Sequence, residues 1–266
     1  MARTTEAALW SPDTGAFDPR RWMSELRVQA VELGIEVRTH HPVWERTGNA
    51  VRAGQTRYEP GHVLNAAGAW ADRIARLWGA DDGYRMLPYR GMYLVGEPDS
   101  LAVRRHIYPV PDLQMPFLGS HFTRTPDGRV LIGPSAHVAL GRAHYGAVSG
   151  MTPAEWPQYA ADHLGLMWSD PRIRRHAARE LRRTTRRSLL EDARGLVTEL
   201  DASQFRRWGR TGVRAQLIDV RRRALELDFV VRRAERSTHV LNAISPAFTS
   251  AWAFGRFLVQ EYVDLA

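Results

Sequence analysis

Apolar residues first recur at helical spacing between Asp18 and Gly34, where Trp22, Leu26, Ala30 and Leu33 follow an Asp-Pro pair. An Asp at the N-cap with proline at the first helical position starts a helix, and glycine ends it. The pattern then alternates. Ile35-Glu-Val-Arg-Thr and Ala50-Val-Arg-Ala-Gly read as strands, and a short apolar run from His62 ends in small residues and passes into a helix over residues 72–78. Such alternation is α/β behaviour. From Tyr84 to Val138 the texture changes to short strands punctuated by Pro and Gly, at residues 88–95, 105–111, 117–124 and 129–134, with Asp127-Gly128 as a hairpin turn. This predicts an antiparallel sheet. Residues 153–195 read as helical, strands return at residues 212–216, 227–231 and 238–242, and a last helix is expected over 247–262. The texture divides a mixed α/β chain into segments 1–80, 81–205 and 206–266.

Composition narrows the chemistry. The 266 residues are 44% hydrophobic, enough for a globular core, and contain no Cys. Thiolate zinc sites, iron–sulfur clusters and a cysteine nucleophile are excluded, and cytoplasm is the default compartment. Residues 1–10 carry one basic residue, Arg3, and no apolar run, so no secretory leader is expected; no stretch has the length of a membrane span. All 37 basic residues are Arg, and residues 172–236 hold 19 of them against nine acids. Apolar residues interrupt these runs at helical spacing, which favours a solvated helix face over a nucleic-acid surface. His40-His41 lacks convergent acids and no other histidine pairs at i, i+4 with an acid nearby, so no metal site is expected.

Three groups of residues in order carry a family resemblance: Asn65-Ala-Ala-Gly-Ala-Trp-Ala-Asp; Pro88-Tyr-Arg-Gly-Met-Tyr with Ile107-Tyr-Pro-Val-Pro-Asp and Pro116-Phe-Leu-Gly-Ser-His-Phe-Thr-Arg; and Gly212-Val-Arg-Ala-Gln with Leu241-Asn-Ala-Ile-Ser-Pro-Ala-Phe-Thr-Ser. Over residues 8–262 the chain resembles the L-2-hydroxyglutarate oxidase/dehydrogenase family within the D-amino-acid-oxidase-like flavoproteins. The resemblance implies an FAD-binding domain interrupted by an antiparallel-sheet substrate domain, and oxidation of L-2-hydroxyglutarate or a similar 2-hydroxy acid to the 2-oxo acid. No G-x-G-x-x-G turn for the flavin pyrophosphate occurs in the sequence. The FAD-binding domain is therefore expected to be incomplete: 1–80 its remainder, 81–205 the substrate domain, 206–266 the return. Activity would need the missing strand, turn and helix from a partner chain, and association with such a chain or with a second copy is expected. The rival reading is a non-catalytic binding or scaffolding subunit. Inside the motifs Met92, Ser135 and the run from Arg221 to Leu227 depart from the family pattern.

By resemblance, the turn Ala66, Ala67 and Gly68 meets the flavin; tight strand–helix packing explains the same small residues. Asn242, Ser245, Pro246, Ala247 and Thr249 are the second flavin-side set, with Ser245 as N-cap of the last helix and its N-terminal donors toward the pyrimidine end. Arginine grips carboxylates with two parallel bonds, so Arg214, and after it Arg90 and Arg124, are the carboxylate candidates. His121 is the candidate base for the hydroxyl proton and Tyr108 a positioning group. Each has a plain alternative as a surface charge or a core residue.

Overall fold

The computed structural model describes residues 7–98, 103–110, 119–182, 185–244 and 247–263. The chain opens with α1 (Pro19–Glu32), whose first donors, Arg20 N–H and Arg21 N–H, bond to the Asp18 carboxylate. Its apolar stripe finds no core here, since none of its residues is buried. Three strands follow as a small antiparallel sheet, β1 (Val43–Thr47), β2 (Ala50–Ala53) and β3 (Thr56–Tyr58). The strand expected at Ile35 does not form. Ile35 and Val37 are 55% and 45% exposed, so the run has neither a sheet partner nor a core to bury its apolar positions.

β4 (Val63–Asn65) leads through a short turn into α2 (Ala71–Arg76). Next come β5 (Tyr84–Gly91), β6 (Leu94–Gly96), β7 (His121–Arg124), β8 (Val130–Gly133) and β9 (His137–Val138). The β7–β8 hairpin turns at Asp127-Gly128 as expected, and of the run 105–111 only Ile107 bridges to Phe122 among the described residues. Three helices follow: α3 (Trp156–Ser169), α4 (Pro171–Arg182) and α5 (Arg186–Leu196). The last part holds β10 (Arg207–Trp208), β11 (Gly212–Asp219), β12 (Ala224–Leu225), β13 (Val230–Ala234), β14 (Ser237–Asn242) and α6 (Ala251–Tyr262). β13 starts three residues later than its apolar run because Asn242 Nδ2 donates to the carbonyl of Asp228 at 2.6 Å, pinning that stretch as a connection.

The chain thus adopts the mixed α/β class. β4 runs parallel to β14, which pairs with β13, and α2 packs beside them. β5 and β11 pair antiparallel along their whole lengths, joining segments far apart in sequence. Alternation splits their side chains between two cores. Met86 and Leu217, opposite one another, join Ala71, Ala75 and Leu241; Leu87 and Ile218 join Tyr159 and Leu166 of α3. A third core gathers Leu94, Phe122 and Ile132 of the β10-β6-β8-β7 sheet against Leu189 and Leu190 of α5.

Candidate functional site

The β5–β11 ribbon ends at the pair Gly91 and Gly212, neither of which has a side chain, and a cavity of about 430 Å³ opens there. A Cβ on Gly91 would lie 2.7 Å from Pro134 Cβ and 3.2 Å from the carbonyl of Ser135, so only glycine lets this neighbouring segment close the wall. Arg90, Arg214, His121, Tyr108, Tyr93 and Glu180 line the cavity. The sequence-selected residues Arg90, Arg214, His121 and Tyr108 therefore share one space, although they come from four separate segments.

Register places the two arginines. Arg90 faces Val213 and Arg214 faces Tyr89, so their side chains leave opposite faces of the ribbon and reach the cavity around its open end. Burial lowers the Arg214 pKa from its ordinary value. Arg90 Nη1 lies 3.1 Å from His144 Nε2, its Nη2 donates to Thr211 Oγ1 at 3.5 Å, and its buried Nε has no hydrogen-bond partner among the described residues. Arg124 is placed apart. It is one residue beyond Thr123 on β7, on the Phe122 side of the strand and not the His121 side, and its Nη1 donates to the carbonyl of Val103.

His121 Nδ1 donates to the carbonyl of Gly119 at 3.0 Å, leaving the Nε2 lone pair as the proton acceptor. Burial is the main reason its pKa falls below the ordinary histidine value; the Gly119 bond opposes the fall and His106 adds to it. The ring of Tyr108 packs 4.5 Å from that of His121, centroid to centroid. Burial also raises Tyr93. Among the described residues, no group of three or more His, Asp or Glu is arranged to hold a metal, and no helix is long and apolar enough to cross a membrane.

The sequence profile of the FAD dependent oxidoreductase (DAO) family matches residues 2–261. The chain belongs to the FAD-dependent oxidoreductase family. It is 31% identical over 230 residues to the L-2-hydroxyglutarate dehydrogenase of Escherichia coli (strain K12), covering 83% of this chain and 52% of that protein. It is 29% identical over 276 residues to the mitochondrial L-2-hydroxyglutarate dehydrogenase of Caenorhabditis elegans, covering 97% and 62%. Among solved structures it is similar to FAD-bound L-alpha-glycerophosphate oxidase from Mycoplasma pneumoniae, with a TM-score of 0.59 at 18% identity, over 88% of this chain and 53% of that one. L-proline dehydrogenase from P. horikoshii gives 0.56 at 14% identity, over 92% and 55%. The chain spans about three fifths of the length of the first curated relatives it matches.

The residues that the resemblance assigns to the flavin lie outside the cavity lining. Ala66, Ala67 and Gly68 are exposed in the turn between β4 and α2, where Gly68 takes a φ of +55° and an added Cβ would meet nothing within 4 Å. Buried Asn65 builds this turn: its Oδ1 accepts from Ala67 N–H at 3.1 Å and its Nδ2 donates to the carbonyl of Ala71 at 2.9 Å. The turn residues thus present backbone and open room, which fits close approach by a flat ligand. Asn242 is buried, with its amide engaged by the carbonyl of Asp228. Ser245 and Pro246 lie outside the described residues. The expected capping by Ser245 is corrected: α6 begins at Ala251 with Ser250 at its N-cap, because residues 247–250 form a turn before it. Ala247 and Thr249 lie in that turn.

Several participants escaped sequence reasoning. Glu180, 4% exposed, accepts from Ala136 N–H at 2.7 Å at the cavity wall. The contact between Met92 and Ser135 also emerges only in the fold: Ser135 N–H donates to the Met92 carbonyl at 3.1 Å, and Met92 N–H to Ser135 Oγ at 3.2 Å. His144 gave no sequence signal, since its role depends on which strand its loop crosses.

Proposed function

We propose that this chain forms the substrate-binding portion of a flavoenzyme that oxidises L-2-hydroxyglutarate, or a closely similar 2-hydroxy dicarboxylic acid, to the 2-oxo acid. The observation that carries the reading is the pair Arg90 and Arg214, which enter one cavity from opposite faces of the β5–β11 ribbon beside His121. Two guanidiniums aimed from opposite sides suit two carboxylates on one molecule better than a bidentate grip on one. The names of the relatives point to the same acid.

In this reading Arg214 holds the carboxylate next to the reacting carbon and Arg90 the distal one. His121 Nε2 removes the hydroxyl proton, and Tyr108 packs the base in place. FAD, when bound, supplies the two-electron acceptor for the hydride leaving that carbon. The Ala66–Gly68 turn, with Asn242, Ala247 and Thr249 on the C-terminal side, is the part of this chain that would meet the cofactor. The pyrophosphate contact belongs to polypeptide other than these residues, in the same or a partner chain, because no G-x-G-x-x-G is present. Residues 1–80 and 206–266 then form the flavin side and 81–205 the substrate side, with β11 crossing over to complete the substrate sheet.

The test is anaerobic mixing of the FAD-reconstituted enzyme with L-2-hydroxyglutarate, read as bleaching of oxidised-flavin absorbance. Arg214→Lys should raise the concentration needed for half-maximal reduction by about tenfold or more. Flavin that is bleached by the 2-amino analogue and left oxidised by the hydroxy acid would overturn the substrate class.

A further inference from the structure

The loop between β9 and α3 touches both sides of the site. Arg142, 4% exposed, donates through Nη1 to the carbonyl of Ala69, one residue past the Gly68 turn, and through both Nη atoms to Asp72. Two residues on, His144 is 2% exposed and lies against Arg90. Its protonation pattern follows from its neighbours. Leu140 N–H donates to Nδ1 at 3.1 Å, so Nδ1 carries no proton and the hydrogen sits on Nε2, which donates to the carbonyl of Ala147 at 3.2 Å. Nε2–H therefore meets Arg90 Nη1 donor to donor, 3.1 Å away. Arg90 is left with a partnerless buried Nε, a long contact from Nη2, and an N–H wall beside Nη1. A half-buried cation with so few acceptors gains most from an anion in the cavity.

We propose that His144 is a positioning residue for Arg90: its Nε2–H bars the guanidinium from the acceptor Ala147 C=O and keeps it turned toward the cavity, where a ligand carboxylate completes its bonding. This rests on the carboxylate reading of the cavity. Because Arg142 clamps the same loop to the turn at Ala69, the position of Arg90 is referenced to the flavin-side turn through three residues of covalent chain and two side chains.

Two substitutions separate positioning from mere support. Asn can place an acceptor where Nδ1 lies and so keep the Leu140 bond, but it offers no N–H at the Nε2 position; Gln reaches that position with an amide N–H. The purified 266-residue chain is titrated calorimetrically with glutarate, a dicarboxylate with no hydroxyl to oxidise. His144→Asn should weaken glutarate by about tenfold, while His144→Gln stays within about threefold of the unsubstituted chain. Glutarate binding that is lost in Arg90→Lys yet undiminished in His144→Asn overturns the positioning role alone. Absence of glutarate binding, or binding indifferent to both Arg90→Lys and Arg214→Lys, overturns the carboxylate reading and this inference with it. Independently of any variant, the ¹⁵N shifts of His144 should report the Nε2–H tautomer; the Nδ1–H tautomer would refute the donor-to-donor contact.

Discussion

Arg142 and Asp72, seventy residues apart, form a bidentate ion pair that is almost completely shielded from water, at 4% and 1% exposure. Asp72 Oδ2 also accepts from Met86 N–H at 3.0 Å, so one carboxylate ties α2, the β9–α3 loop and β5 together. Removing one partner strands a buried charge. Arg142→Met should lower unfolding free energy by about 3–5 kcal/mol, and Asp72→Asn by a similar amount, whereas the double variant Arg142→Met, Asp72→Asn should recover part of the loss. Urea denaturation of the four proteins measures this; single losses below about 1 kcal/mol would mean that water reaches the pair.

Acid should loosen the β13-β14-β4 sheet through His239. This ring is fully buried in β14; burial first, then His62 and Arg46, push its pKa down to about 4. Its Nδ1 faces Asn65 Nδ2 at 3.1 Å and its Nε2 faces Ser237 Oγ at 3.0 Å, an arrangement that the neutral ring satisfies. The unfolded chain takes up the proton near pH 6.5 and the folded chain resists it, so stability is full above about 6.5 and falls as pH drops toward about 4. The contribution is on the order of 3 kcal/mol. Comparing thermal melts of the unsubstituted chain and His239→Gln over this window isolates it: equal pH slopes would contradict the assignment.

The pH dependence of turnover should carry the mark of His121. Burial lowers its pKa from the ordinary 6.5, so the ascending limb of kcat/KM against pH should lie below that value. His121→Ala should reduce kcat by about 10²- to 10⁴-fold with little change in substrate affinity. Full turnover in the alanine variant would make the residue structural.

Close packing at the cavity mouth gives a further measurable consequence. Gly91→Ala drives a methyl group to 2.7 Å from Pro134 Cβ, and the neighbouring backbone carbonyl of Ser135 blocks the other direction. The wall segment must shift, at a cost of about 1–3 kcal/mol. A melting temperature unchanged in Gly91→Ala, together with unchanged glutarate affinity, would show that the segment moves freely.

Much of the site could be read along the chain. The Asp18-Pro19 start of α1, the Asp127-Gly128 hairpin and the family motifs are local features, set by dihedral preference, capping and spacing within a few residues. The motifs contain Arg90, Arg214, His121 and Tyr108, which share one cavity, as well as Arg124, which does not line it. What only the tertiary structure decided is which local features meet. Strand alternation sent Arg124 to the face of β7 opposite His121, and the register of β5 on β11 set the two arginines on opposite faces of one ribbon. The stretch from Ile35 stayed out of any sheet for want of a partner, and α6 began at Ala251, four residues inside its apolar run. The pairing of Arg142 with Asp72 and the setting of His144 against Arg90 join residues far apart in sequence. Burial and donor direction, which make those contacts strong, exist only once the segments have packed.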